Sequence, residues 1–311
     1  MAKTIVRLKE STDNAAVAAL IRDSLNVWYR EHMGVEECVP SVEAASIFTR
    51  VYDALDPNCC VVAEDLETGR IAGSCFFHPR PTHVSLGIMN VSPDYFGQGI
   101  ATKLLAYIVD VAQRRNQTLR LVSSAMNLDS FSLYNRLGFV PRVFYQDMLL
   151  PSPAEGVEIT VPEGTTLRDA TSDDVPKIVE LEMDALGVDR AKDYRFFIDN
   201  ADGIWGVSVL EENATGSILG VMASVNDPGS KMIGPGVARN DAVAEVLVRR
   251  ELNRYRGEWS PVLLVPGERV ELREAMYRLG AKNIETHIAQ SLGEVPAYKG
   301  VVVPSFMPES A

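Results

Sequence analysis

Met89-Asn-Val-Ser-Pro-Asp-Tyr-Phe-Gly-Gln-Gly-Ile-Ala-Thr102 is the stretch on which the reading of this chain turns. An apolar run over residues 83–91 stops before Pro93, a Gly97-Gln98-Gly99 turn follows, and an amphipathic segment opens at Ile100. That is a strand, a glycine-bearing loop and a helix. The first turn of a helix leaves backbone N–H groups unpaired, and the helix dipole places partial positive charge on them. Gly97 and Gly99 carry no side chain to block approach, so a phosphate can rest on those amides. Two readings fit the stretch by itself: a seat for a phosphate-bearing ligand between Phe96 and Thr102, and an ordinary loop opening an ordinary helix.

Working outward, the first half reads β-α-α-β-β-β-α-β-α-β. Residues 4–8 alternate as a strand. Ser11 or Thr12 is placed to cap a helix carrying Val17, Leu20, Ile21 and Leu25. A second helix over 42–55 aligns Ala45, Ile47, Phe48, Val51 and Leu55, and Asp56-Pro57-Asn58 breaks it. Strands follow at 59–64, 71–77 and 83–91, then the glycine loop and the helix from Ile100. A strand at 119–123, a short helix at 128–136 stopped by Gly138, and a strand from Val140 close the unit. Residues 151–156, Pro-Ser-Pro-Ala-Glu-Gly, read as a linker.

The pattern then restarts. Val6-Arg7, Asp13, Val17 and Leu20 line up with Leu167-Arg168, Asp174, Ile178 and Leu181 at an offset of 161. Thr68-Gly69-x-Ile71-x-Gly73 matches Thr215-Gly216-x-Ile218-x-Gly220 at 147, and Arg136-Leu137-Gly138 matches Arg278-Leu279-Gly280 at 142. Matches in the same order with a steadily falling offset describe a duplicated domain with deletions in its second copy. The organisation expected is a domain over 1–150, a linker over 151–156, a worn second copy over 157–293, and a tail over 294–311. The tail is apolar and proline-punctuated, and is expected to pack on the domains. In the second copy the glycine loop has become Arg239-Asn240-Asp241, where Asp241 is expected to cap the helix and repel a phosphate.

Composition narrows the classes. The chain has 311 residues, 46% hydrophobic, and a net charge of −12. Residues 1–150 hold 14 basic and 16 acidic side chains, so most of the negative charge lies in the second half, which argues against a nucleic-acid partner. No apolar run approaches a membrane span, and the first residues enter a strand pattern directly, so neither a membrane segment nor a signal peptide is expected. Cys38, Cys59, Cys60 and Cys75 lack metal-site spacing and read as reduced thiols of a cytoplasmic protein, with no metal site expected.

The 89–102 run, together with Asn127-Leu-Asp-Ser130-Phe-Ser-Leu133-Tyr134-Asn-Arg-Leu137-Gly138-Phe139, resembles the GCN5-related N-acetyltransferase (GNAT) family. The first run looks like that family's coenzyme A pyrophosphate loop, (Gln/Arg)-x-x-Gly-x-(Gly/Ala), with Gly99 and Ala101 in the last two places. The second resembles its Asn…Leu-Tyr…Gly-Phe signature. The resemblance covers residues 4–150 closely and 157–293 at the level of architecture. It implies an α/β (α+β) fold of two tandem GNAT-like domains, each a mostly antiparallel mixed sheet flanked by helices. It further implies an N-acetyltransferase that moves an acetyl group from acetyl-CoA to a primary amine of a small molecule or peptide, acting as monomer or homodimer. The alternative in the same fold is a non-catalytic acyl-CoA-binding sensor or assembly module.

By that resemblance the backbone from Met89 through Asn90 to Val91 would bind the acetyl and pantetheine groups as though the cofactor added a strand. The segment Phe96, Gly97, Gln98, Gly99, Ile100, Ala101 and Thr102 would hold the pyrophosphate. Asn127 and Ser130 would contact the pantetheine arm, and Tyr134 would stand near the sulfur as general acid. The chemistry asks for such parts: a neutral amine, donors for the oxyanion and a proton for the leaving thiolate. Two departures stand out. Phe96 occupies the place of Gln or Arg, and Ser85 and Gly87 stand where relatives carry a base. His83 is a candidate by the reasoning that alternation puts it on the face of Val91. Ser85 is retained beside it, and His78, Glu36 and Glu37 are further candidates. Met276 stands where Tyr134 stands in the first copy, so one active site per chain is expected.

Overall fold

The computed structural model describes residues 3–309. Its chain forms two compact units. The first is Met1–Pro79, His83–Leu119 and Asp227–Ser230; the second is Arg80–Thr82, Arg120–Asn226 and Lys231–Ala311.

In the first unit, β1 (Thr4–Leu8), β2 (Cys60–Asp65), β3 (Ile71–Pro79) and β4 (His83–Val91) form an antiparallel sheet in that order. Its helices are α1 (Asn14–Met33), α2 (Val42–Leu55) and α3 (Ile100–Arg114). The entry to α1 differs from expectation. Ser11 and Thr12 lie inside a one-turn 3-10 helix, and Glu10 with Asp13 closes a reciprocal capping box ahead of α1. Gly34, left-handed at φ 68°, ends α1, and Ser41 caps α2 through the amide of Ala44 at 3.0 Å. One face of the sheet packs on α1 and α2: the ring of Phe76 on β3 meets Tyr52 of α2 edge-on at 5.0 Å. The other face packs on α3, where Ile100, Leu104 and Ile108 are buried. Gly73 permits this approach, because a Cβ there would come within 2.8 Å of Ile100 and 3.1 Å of Leu104.

The second unit begins within β5 (Thr118–Ser124) and holds α4 (Leu128–Arg136), β6 (Val140–Leu149), β7 (Thr165–Asp169), α5 (Val175–Leu186), α6 (Ala191–Asp199), β8 (Trp205–Glu212), β9 (Ile218–Asp227), β10 (Ser230–Ala238), α7 (Asp241–Arg254), β11 (Val262–Pro266), α8 (Val270–Arg278), β12 (Lys282–Leu292) and β13 (Val301–Val303). Its sheet runs β5-β12-β6-β11-β10-β9-β8-β7, with β13 on β10. Most pairs are antiparallel; β10 and β11 run parallel, so the sheet is mixed. The core gathers Leu210, Met222, Leu247, Leu263 and Met276 with Val301 and Val303 of the tail.

The compact units do not coincide with the repeat units. The strand that closes the first repeat, β6, pairs from Val140 to Leu149 with β12 on one side and from Tyr145 to Leu149 with β11 on the other, both from the second repeat. Hydrogen bonding therefore ties residues 120–150 to the second unit. The repeat itself shows in the local chemistry. Arg7 bonds Asp13 at 2.7 Å and Glu64 at 2.6 Å; Arg168 bonds Asp174 at 2.7 Å and Glu211 at 3.0 Å. Gly220 repeats the part of Gly73, since a Cβ there would come within 2.6 Å of Val243 and 2.7 Å of Leu247 on α7.

Candidate active site

The first unit builds the glycine loop on a fixed base. Pro93–Tyr95 forms a single 3-10 turn after β4, and the Tyr95 hydroxyl donates to Asp65 Oδ2 at 2.8 Å. The amide of Glu67 and that hydroxyl hold the Asp65 carboxyl below its ordinary range. Gly97 and Gly99 then take left-handed conformations at φ 73° and 76°, which a side chain adopts only with strain. Gly99 is the N-cap of α3, and no side chain caps that helix. A Cβ added at either glycine would meet nothing within 4 Å, so open space lies over the loop. Phe96 is 53% exposed, a large apolar ring turned outward beside that space. Thr102 is exposed and Ile100 is buried against the sheet.

The strand feeding this loop carries a β-bulge. Phe77 pairs with Leu86 and Cys75 with Met89, so Phe76 faces both Gly87 and Ile88. A Cβ at Gly87 would lie 2.8 Å from the Phe76 carbonyl oxygen, which is the physical reason that this position carries no side chain. The bulge also corrects the alternation argument. Ser85 opposes His78 and Asn90 opposes Ser74, so His83 and Ser85 lie on the face of Asn90, not on that of Met89 and Val91. Asn90 is tied down on that face, its Nδ2 donating to Ser24 Oγ of α1 at 2.8 Å. His83 and Ser85 are fully buried. His78 is engaged structurally: its Nδ1 meets Asp56 at 2.9 Å, and its ring stands edge-on to Tyr52 at 4.6 Å. Glu36 and Glu37 lie exposed after α1.

Asn127, Ser130 and Tyr134 belong to the second compact unit. Asn127 is the N-cap of α4, its Oδ1 accepting from the Ser130 amide at 3.0 Å. Tyr134 is 5% exposed, with its ring 5.6 Å from that of Phe139. The Phe139 amide donates to the Tyr134 carbonyl at 3.1 Å across Gly138, left-handed at φ 91°. Leu133 to Phe139 is thus a helix-end motif that fixes where Tyr134 points.

The second copy's counterpart of the loop is closed by its own chain. Asn240, not Asp241, caps α7, accepting from the Val243 amide at 3.0 Å. Asp241 instead accepts from the Leu272 amide at 3.2 Å and lies 3.8 Å from Arg269. Arg239 pairs with Asp184. At the offset of 147, Met89 and Val91 correspond to Gly236 and Ala238. There β13 of the tail pairs antiparallel, Gly236 with Val303 and Ala238 with Val301. Met276 lies fully buried in the second unit's core.

A family model for the acetyltransferase (GNAT) family matches residues 22–139, the span that contains both motif runs. Over that segment the chain is similar to the GNAT acetyltransferase family. Solved structures extend the fold likeness to the whole chain. A Pyrococcus horikoshii protein described as an acetyltransferase aligns with a TM-score of 0.72 at 17% identity, over 96% of this chain and 94% of its own. A GCN5-related N-acetyltransferase from Sphaerobacter thermophilus aligns with a TM-score of 0.65 at 20% identity, over 95% and 97% of the two chains. A tandem GNAT protein from the clavulanic acid biosynthesis pathway gives 0.61 at 16% identity, over 93% and 98%. At these identities the likeness is one of fold: a mixed α/β sheet flanked by helices, in tandem GNAT form. No curated protein matches the chain in sequence. Enzymes of the family matched over residues 22–139 are N-acetyltransferases that take acetyl-CoA as co-substrate.

Beside this GNAT scaffold the structure assembles groups that no local motif announced. Asp147 on β6 and Glu285 and His287 on β12 bring one ligand atom each within 4.8 Å of one another, a set able to hold a divalent cation. His287 Nδ1 meets Asp147 at 2.9 Å, and the Phe306 ring lies 4.6 Å from the imidazole. Burial raises the Asp147 carboxyl above its ordinary value, and His287 opposes that shift. The residues come together only through the pairing of β6 with β12, which sequence spacing does not encode. No disulfide joins the four cysteines, and Cys60 and Cys75 are buried. Among the described residues no helix is long and apolar enough to cross a membrane.

Proposed function

We propose that the chain transfers the acetyl group of acetyl-CoA to a primary amine of a small molecule or peptide, at one site anchored on the first copy's glycine loop. The observation that carries this reading is the entry to α3. Two left-handed glycines on either side of Gln98, open space above them and an uncapped helix N-terminus make a seat for a pyrophosphate. Phe96 supplies an apolar surface for the adenosine in place of the polar side chain usual there. The backbone of Met89, Asn90 and Val91 takes the pantetheine and acetyl groups, and a strand-end N–H donates to the oxyanion. Asn127 and Ser130 serve the pantetheine arm.

Tyr134 is assigned the role of general acid, its hydroxyl giving a proton to the departing thiolate. The amine must lose a proton, and His83 and Ser85, buried on the Asn90 face of β4, are proposed to receive it through water. The second copy contributes scaffold and no second cofactor site. Its helix entry is capped by Asn240, and its strand edge is taken by β13.

The test is release of free thiol from acetyl-CoA over a panel of amines, paired with calorimetry of CoA binding. Turnover with at least one amine supports the enzyme. Tight CoA binding with no turnover on any amine supports the non-catalytic acyl-CoA sensor instead.

A further inference from the structure

Two buried carboxylates and an imidazole meet on one face of the β6–β12 pair, and the strand register explains how. Glu285 stands directly opposite Asp147, and His287 directly opposite Tyr145. Residues two apart on a strand share a face, as do residues directly opposite one another. Asp147 of β6 therefore looks the same way as Glu285 and His287 of β12. A bulge sets this alignment. Asn283 pairs with Met148 and Glu285 with Asp147, which leaves Ile284 as the extra residue, 44% exposed. Without the bulge Ile284 would oppose Asp147, and Glu285 and His287 would turn to the opposite face.

The three side chains converge. One ligand atom from each lies within 4.8 Å of the other two. His287 Nδ1 is 2.9 Å from both oxygens of Asp147. Two atoms bound to one metal ion at about 2.1 Å stand about 3.0 Å apart when neighbouring and about 4.2 Å apart when opposed. The Asp147–His287 contact thus has the length of one edge of a coordination shell, and the whole set spans little more than one shell.

Charge and surroundings agree with the distances. Asp147, Glu285 and His287 are 3%, 6% and 6% exposed. Two carboxylates and a neutral imidazole sum to two negative charges. A divalent cation matches that charge, whereas an imidazolium matches half of it. The neighbours are apolar: buried Leu264 pairs with Asp147 from β11, and the Phe306 ring lies 4.6 Å from the imidazole. An apolar shell strengthens the attraction between ligands and ion. Nitrogen and carboxylate oxygen without thiolate suit Zn²⁺ or Mn²⁺. The cysteine spacing that argued against a metal site is silent on such a set, whose members come from two strands far apart in sequence.

We infer that Asp147, Glu285 and His287 bind a divalent transition-metal cation, which ties the closing strand of the first copy to β12 of the second. The competing account is a hydrogen-bonded Asp–His pair that binds no metal.

The experiment frees the full chain of metal with a chelator, then dialyses it against Zn²⁺ or Mn²⁺ and measures bound metal and Tm. A cation with a Kd on the order of 1 μM, held at about 100 μM, multiplies the folding constant about a hundredfold. One metal per chain and a raised Tm are expected. Both should be lost in His287→Gln and in the double variant Asp147→Asn, Glu285→Gln. Both should persist in Cys38→Ser and His32→Gln, which remove exposed side chains able to hold Zn²⁺ adventitiously. The assignment does not depend on the variants folding. In the unsubstituted chain Mn²⁺ should broaden the ring-proton resonances of His287 and leave those of His32 sharp. No bound metal, metal bound without a change in Tm, or broadening of His32 alone would overturn the site. The readout needs neither CoA nor turnover, so it stands apart from the acetyl-transfer reading.

Discussion

The two copies enter their third helices from strands of equal length, and they treat the exposed backbone differently. β4 and β10 each span nine residues, and Gly73 and Gly220 each let the following helix close on the sheet. At α3 the helix entry has no side-chain cap, two left-handed glycines and open space over them. At α7 the chain satisfies itself, through the Asn240 side chain at the helix and β13 along Gly236–Ala238. Backbone polar groups must find partners, and the partner is the protein, water or a ligand that displaces that water. The comparison teaches where to look for function in a duplicated fold: at the copy whose chain has not answered its own backbone.

The largest expected effect breaks the open copy. Gly99→Glu places a carboxylate in the space above the loop and puts a side chain at φ 76°, so CoA binding should fall below calorimetric detection. Retained affinity would show that the loop is not the seat. Next, Tyr134→Phe should lower turnover at least about tenfold with CoA affinity unchanged. Met276→Leu, at the matching place, should leave turnover alone. Unchanged turnover in Tyr134→Phe would remove that hydroxyl from the reaction.

Smaller effects sharpen the closed copy. Val303 is fully buried where β13 pairs with β10, so Val303→Ala should cost on the order of 2 kcal/mol in chemical denaturation, with CoA affinity unchanged. Asn240→Ala should cost about 1 kcal/mol through the lost cap and should create no second CoA site. The smallest effect tests the sameness of the two scaffolds. Hydrogen bonds from Arg7 hold Asp13 below its ordinary value, and those from Arg168 hold Asp174 down to about 2. A depressed carboxyl contributes stability fully above its unfolded value, near 3.9, and that stability is lost as pH falls toward the folded one. Tm should therefore fall between about pH 4 and about pH 2, less steeply in Arg168→Met. An unchanged slope in that variant would dissociate the triad from acid stability.

Much of this was legible in the sequence, for identifiable reasons. Periodicity and breakers placed the ten elements of the first copy, and the alignment of Arg7 and Asp13 with Arg168 and Asp174 marked the repeat, though not the ion pairs that these residues form with Glu64 and Glu211. The loop was legible because Gly97 and Gly99 have a local conformational cause. Features set by pairing across the chain were not. The bulge at Gly87 depends on β3 opposite it, and it moves His83 and Ser85 to the other face. The seating of β6 between β12 and β11 comes from partners far away in sequence, as does the meeting of Asp147 with Glu285 and His287.

On the function proposed above, one copy binds CoA and the other has filled its own site. Calorimetric titration of CoA into the full chain measures this directly. The predicted result is one CoA per chain. A stoichiometry of two, or no binding at all, would contradict it.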